Sequence, residues 1–404
     1  MQAPVRQVLA GPRIRRYHPH DLAPYLTRAS AAWYIDPVTG LLTQASSNVA
    51  RICMSPAGVL SILREPQSTN EATWSADLTN AAFTKGSVTA SLDGGTAPDG
   101  NLARNRLTET TANNEHICYR GLSSRTTDTF SVFLKAGERT AASLRFYSAG
   151  SQYVSVTFNL ATGAVTQTSN VGVTYSAVTS GSEARANGWY RCWVNATRAS
   201  GTTQYVLCLN TSLTPTLNAD GGEVYVGDAA NGIYAWGYDI QAGAGLMSHI
   251  PTAGSTVTRS RDEIVIPTVL SAGQAFSECL DFCLPWAAPN SRLIGSSNSA
   301  GDLFCSALPS SVVGTYNGTA TVVVVNTFSA NTRTRAAHSA DASGRAVCLN
   351  GGAVVSGVTT FGAISQRKMG QDQSGDSNST VLYIHEYRQS PQRWSDRQLQ
   401  GYTA

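Results

Sequence analysis

The chain reads as an all-β protein: two consecutive jelly-roll β-sandwich modules preceded by an extended N-terminal arm. Three observations carry that reading. Short apolar or alternating runs recur along most of the 404 residues with turn signals between them. Charged residues make up only 14% of the chain, below the ~25% of an average domain, and Gly, Ser, Thr, Asn and Ala fill the difference. Finally, turn texts such as NLATGAV stand between neighbouring strand candidates.

Residues 1–27 differ in character from the rest of the chain. They hold Arg6, Arg13, Arg15, Arg16 and Tyr17, with prolines at intervals and no clean periodicity. Proline blocks a regular ladder and favours extended backbone, so the segment is expected to be an arm that docks elsewhere. His18 and His20 have no further ligand nearby and are expected to be exposed. Residues 28–67 are short strands and turns, with DPVTG at Asp36–Gly40 and SPAG at Ser55–Gly58, and are expected to form a connector.

Residues 68–258 are expected to form the first module. Strands are predicted in TFSVFLKAG, ASLRFYS, YVSVTFNL, GWYRCWVNATR, YVLCLNT, EVYVGD and IYAWGYDIQAG. Alternation in LRFYS places Leu144 and Phe146 on one face and Arg145 and Tyr147 on the other. If that second face is the outer one, Arg145 and Tyr147 are candidate ligand contacts. Trp189, Trp193 and Trp236 lie in apolar strand text and are expected in the core.

Residues 259–404 are expected to form the second module. Its strands are predicted in AFSECLDFCLP, TATVVVVNTF, GRAVCLNGGAVVS and TVLYIHEYRQS. Asn350-Gly351-Gly352 supplies a left-handed turn for a hairpin. SDRQLQGYTA closes the chain as a short helix with Ser395 as N-cap. In VLYIHEYR, strict alternation puts Tyr383, His385 and Tyr387 on one face, a second candidate contact surface.

The familiar catalytic patterns are missing from the sequence. Glycosidases need two carboxyl groups facing one cleft, and two on one strand need an even spacing. Glu278 and Asp281 are three apart and are expected on opposite faces, so the chain is expected not to be an enzyme. There is no GxSxG elbow and no HExxH. The eight cysteines are scattered without a CxxC pair, which argues for buried thiols rather than a zinc site. The loop DQSGDSNS at residues 372–379 carries Asp372, Asp376 and Asn378 but lacks a calcium-loop series, and a solvated turn is expected. No cofactor or metal is expected. The net charge of +3 gives no reason to expect nucleic acid, and no run approaches the ~18 apolar residues of a membrane span.

Three phrases carry a family resemblance: RASAAWYIDPVTGLLTQASSNVARI from Arg28, EPQSTNEATWSADLTNAAFTK from Glu65, and AWGYDIQAGAGLMSHIPTAGSTVTR from Ala235. With NGWYRCWV they resemble the fibre and spike appendages of tailed bacteriophages, which carry carbohydrate-binding-module-like jelly rolls. The order of LNGG hairpin, IHEYRQSP strand and closing helix resembles concanavalin A-like (laminin-G-like) sandwiches. The resemblance implies a virion protein, a tail fibre, head fibre or spike subunit, assembled in the host cytoplasm. It implies that residues 1–27 anchor to other virion proteins, that the subunit self-associates as a trimer, and that the modules adhere to host-surface polysaccharide. The alternatives are a capsid decoration protein without ligand, or a free bacterial carbohydrate-binding protein or weak glycoside hydrolase.

Overall fold

In the computed structural model, residues 14–122, 126–198, 201, 203–286, 291–296, 302–305, 313–316, 321–324, 328–358, 361–371 and 380–404 are described. Their fold is all-β, with a short helix near each end of the described chain. They divide into two compact units that are not simple consecutive stretches. One takes residues 30–46 and 67–260; the other takes residues up to 29, 47–66 and 261–404.

The 67–260 unit is a sandwich. One sheet runs in the order Tyr175–Arg185, Trp189–Arg198, Thr127–Ala136, Gly232–Ala242, Asn105–Glu109 and Val88–Leu92. The other runs Val165–Val171, Gln152–Asn159, Ala141–Ser148, Thr203–Asn210, His116–Leu122 and Thr84–Gly86. Period-2 alternation sends Phe130, Val132 and Leu134 from the first sheet, and Leu144, Phe146, Val154, Val156, Phe158 and Leu207 from the second, into one buried core. Leu42, Phe133, Trp189 and Trp236 form a separate apolar cluster. It includes Leu42 of the hairpin that pairs Ala32–Ile35 with Leu42–Ala45, and Trp33 and Ile35 of that hairpin pack against it. Trp189 and Trp236 are buried as expected, whereas Trp193 is half-buried, its ring lying across Gly181.

The other unit is a second sandwich. Its longer sheet runs Val355–Gly357, Gly344–Leu349, Arg333–Asp341, Phe276–Cys283, Leu382–Ser390, Leu60–Arg64 and Ile52–Met54. The facing sheet includes Leu26–Thr27, Glu263–Leu270, Ile364–Met369 and Ser291–Ser296. Asn350 and Gly351 adopt φ of 46° and 70°, the left-handed turn expected there. Asp396–Thr403 is the closing helix, with Ser395 Oγ accepting from Gln398 N; Leu399 packs with Trp394, Cys279 and Cys348. The seven cysteines whose side chains are described are buried free thiols, and burial pushes the Cys118 and Cys279 thiols up to about 12.

The N-terminal expectation is corrected in its described part. Arg15–Tyr17 is a strand paired with Tyr387–Gln389, and Pro19–Leu22 is a helical turn. Pro19 stands in the first turn, where its missing N–H breaks no bond. Leu22 and Leu26 are buried beside Leu280, Phe282 and Ile384. This stretch is therefore part of a core rather than a free arm; its apolar residues follow no single period because they enter through a strand, a helical turn and a second strand in succession. Arg15 and Arg16 remain exposed and Tyr17 is half-buried against Tyr387 at 5.7 Å, while Arg6 and Arg13 lie outside the described residues. Residues 28–67 are likewise no connector. Arg28 and Arg51 are fully buried and pair with Asp262, and Arg51 also pairs with Glu65.

Candidate functional site

The outward face of the sheet containing Ala141–Ser148 gathers polar groups at a density that the facing core excludes. Ser143, Arg145 and Tyr147 project there, because their neighbours Ala142, Leu144 and Phe146 fill the core. Register places Thr157 opposite Ser143, Ser155 opposite Arg145 and Tyr153 opposite Tyr147. One strand further out, Gln167 lies opposite Thr157 and Ser169 opposite Ser155. On the other side Val206 lies opposite Arg145. Ser143 Oγ lies 2.9 Å from Thr157 Oγ1 and accepts from Asn210 Nδ2.

Residues 211–224 fold over part of this face. Arg145 donates to Asp220 O at 2.9 Å and to Glu115 Oε2 at 2.8 Å, and Asn218 Nδ2 donates to Glu115 Oε1 at 2.7 Å. Tyr147 donates to Asp220 Oδ1 at 3.3 Å. Burial and then the Asp220 carboxylate push the Tyr147 phenol above its usual range, so the hydroxyl stays a donor. The close approach requires glycine: a Cβ on Gly221, which already has φ of 83°, stands 2.4 Å from the Tyr153 ring, and one on Gly222 stands 2.6 Å from Arg145 Nη1.

On this face several buried polar atoms have no protein partner: Ser155 Oγ, Asn210 Oδ1, Gln167 Oε1 and Arg145 Nε. All four side chains belong to the same sheet. A buried polar group without a partner costs about 1–3 kcal/mol, a cost that a bound polar ligand would offset. The arrangement offers a hydroxyl, two carbonyl acceptors, a guanidinium and two tyrosines, Tyr147 and Tyr153. Those are the groups that hold a polyhydroxylated ring through hydroxyls and an apolar flank.

Sequence reasoning found Arg145 and Tyr147 but took the former for an open contact; it is only 2% exposed and anchors the covering loop. Tyr153, Ser155, Gln167 and Asn210 were missed. The alternation of QYVSVTFN carried a signal for Tyr153 and Ser155, but the register that gathers the four does not show in one strand's text.

The second predicted surface does not form. A register shift between Asp281 and Phe282 against Glu386 and Ile384 makes His385 a bulge residue. Ile384 and Tyr387 then both turn into the core, and His385 turns the other way. Tyr387 is fully buried and donates to Glu278 Oε2 at 3.0 Å. His385 is buried, with Nδ1 2.9 Å from Asp281 Oδ1 and Nε2 3.1 Å from Ser55 Oγ. Tyr383 is half-buried.

Glu278 and Asp281 do lie on opposite faces of their strand. Glu278 is enclosed by Arg367, His338 and Tyr387. Asp281 accepts from Arg333 and from Arg335 at 2.9 Å. No acid pair faces one cleft there. Among the described residues no cluster of three His, Cys, Asp or Glu is placed to hold a metal ion. The loop 372–379 lies outside the described residues.

No family model matches the chain, and no curated protein matches its sequence. Among solved structures it is similar to the CBM40 module of Ruminococcus gnavus IT-sialidase bound to α2,3-sialyllactose, at 11% identity and a TM-score of 0.27 over 34% of this chain and 96% of that one. It is similar to domain 4 of AbnA, a GH43 extracellular arabinanase from Geobacillus stearothermophilus in complex with arabinotriose, at 13% identity and 0.29 over 40% and 82%. It is also similar to the LG4-5 domains of the mouse laminin α1 chain, at 11% and 0.23 over 70% and 90%. At these scores the sandwich assignment rests on the sheets themselves.

Proposed function

We propose that the chain is a structural and adhesive subunit of a tailed-bacteriophage particle, and that the outward polar face of its 67–260 unit holds a host-surface glycan. One observation carries the adhesive part: Ser155, Gln167, Asn210 and Arg145 keep buried polar atoms without protein partners on one sheet face, next to Tyr147 and Tyr153. The virion part is supported by the three phrases beginning at Arg28, Glu65 and Ala235. A particle carrying many copies of the subunit, arranged as trimers, turns weak single-site contacts into firm attachment. On this reading the glycan is bound and not cleaved; the enclosure of Glu278 in the core supports that.

A ligand-free decoration subunit is the second reading. It is favoured by the ion pair that already joins Arg145 to Glu115 under the loop. A glycan array probed with the full chain in multivalent form separates the two. Adhesion predicts binding to a subset of bacterial surface polysaccharides that Tyr147→Ala weakens about tenfold. No binding by folded, multivalent protein favours decoration. Mass spectrometry of purified particles tests the virion assignment by itself, and absence of the chain from particles contradicts it.

A further inference from the structure

Ser55 lies in the turn that joins Ile52–Met54 to Leu60–Arg64. The turn is closed by Ser55 N donating to Val59 O and Gly58 N donating to Ser55 O, each at 2.9 Å, with Gly58 at φ of 73°. Val59 N donates to Ser55 Oγ at 3.3 Å. The bulge at His385 aims its imidazole at this hydroxyl: Nε2 is 3.1 Å from Ser55 Oγ, and Nδ1 is 2.9 Å from Asp281 Oδ1. The Asp281 carboxylate accepts from Arg333 and Arg335. Burial raises its affinity for a proton, but hydrogen bonds from His385, Arg333 and Arg335 outweigh that and hold it well below the usual carboxylate range.

An ionised carboxylate only accepts, so Nδ1 carries the imidazole proton and Nε2 presents its lone pair. Ser55 Oγ accepts from Val59 N and still has its own proton to give to that lone pair. This is the hydrogen-bond order of a nucleophile, a base and an orienting acid, which is recognised by geometry and recurs on unrelated folds. Ser55, His385 and Asp281 are 5%, 5% and 4% exposed, and the Arg333 side chain, 45% exposed, is held by the Asp281 carboxylate. All three residues belong to one compact unit.

We propose that Ser55, His385 and Asp281 form an acyl-transfer site for short-chain O-acyl esters, independent of the glycan face. Ser55 Oγ attacks the ester carbonyl carbon while its proton passes to His385 Nε2. The C–O bond to the alcohol breaks, and Nε2 returns the proton to the departing alkoxide. Water then attacks the acyl carbon and gives a proton to Nε2; the acyl C–Oγ bond breaks, Nε2 passes that proton to Ser55 Oγ, and the carboxylic acid leaves. The lack of a GxSxG elbow hid this site from the sequence, because the serine sits in a hairpin turn and the histidine is placed by a bulge.

The full-length protein is treated with a fluorophosphonate probe and with p-nitrophenyl acetate. Labelling is expected at Ser55 by peptide mass mapping. Ester hydrolysis is expected to fall about 10²–10⁴-fold in His385→Gln and to vanish, with the labelling, in Ser55→Ala. The labelling map of the wild-type chain needs no variant to fold. Absence of probe from Ser55 in wild-type protein with a cooperative melt overturns the proposal, as does hydrolysis equal in wild type and a folded Ser55→Ala.

Discussion

Glu278 is a fully buried carboxylate on a strand whose neighbouring inward residues, Leu280 and Phe282, are apolar. Burial opposes its charge, but the Arg367 guanidinium and the His338 hydrogen bond outweigh that and lower its pKa to about 2. A carboxyl whose folded pKa lies below its unfolded value contributes stability above the unfolded value near 4.5, and this contribution is lost as pH falls toward 2. His338 acts in the same direction from a higher pH. Burial lowers its pKa below 6.5, so below that pH the unfolded chain takes up a proton that the folded chain refuses. Urea midpoints followed at the 261–404 unit should therefore fall progressively from about pH 6.5 to pH 2, and Glu278→Gln should flatten the lower part of that curve. Glu278→Ala at pH 7 should cost about 3–5 kcal/mol, since it takes the carboxylate from the buried Arg367 guanidinium. An unchanged midpoint between pH 7 and pH 3 contradicts this account of the core.

At the scale of elements, the segment 14–27 and the closing helix both complete the second sandwich. Leu22→Ala should cost about 2–5 kcal/mol and Trp394→Ala about 3–5 kcal/mol, read from denaturant midpoints. A free arm predicts no effect at Leu22. The individual strands were legible because alternation such as that of Ala141–Ser148 reports which face enters the apolar core. The bulge at His385 was not, since one extra residue reverses the parity of everything after it and leaves no mark in the local text. Nor did the text show that Leu22, Ile62 and Ile384 share a core, because their proximity depends on long-range pairing.

For the whole molecule, two sandwiches were legible from strand spacing and turn residues, but their chain boundaries were not. The chain enters one unit, leaves it for residues 30–46, returns for 47–66, and leaves it again for 67–260. The buried pairs of Arg28 and Arg51 with Asp262 join segments more than 200 positions apart. Asp262→Ala should cost about 3–5 kcal/mol, because it takes the carboxylate from the buried Arg28 guanidinium and one of two from Arg51; a smaller loss in a denaturant titration shows that water reaches the network. Of the glycan face, two members were legible and the rest waited for cross-strand register.

The adhesive claim rests on hydroxyl and carbonyl groups kept buried without partners, and Ser155 isolates that claim. Ser155→Val removes a hydroxyl that bonds to no protein group, so the free protein should melt at the same or a higher temperature. Surface plasmon resonance over immobilised host polysaccharide should then show at least a tenfold loss of affinity in the same variant. Wild-type affinity in Ser155→Val, or no binding by the wild-type chain, contradicts the assignment of this face.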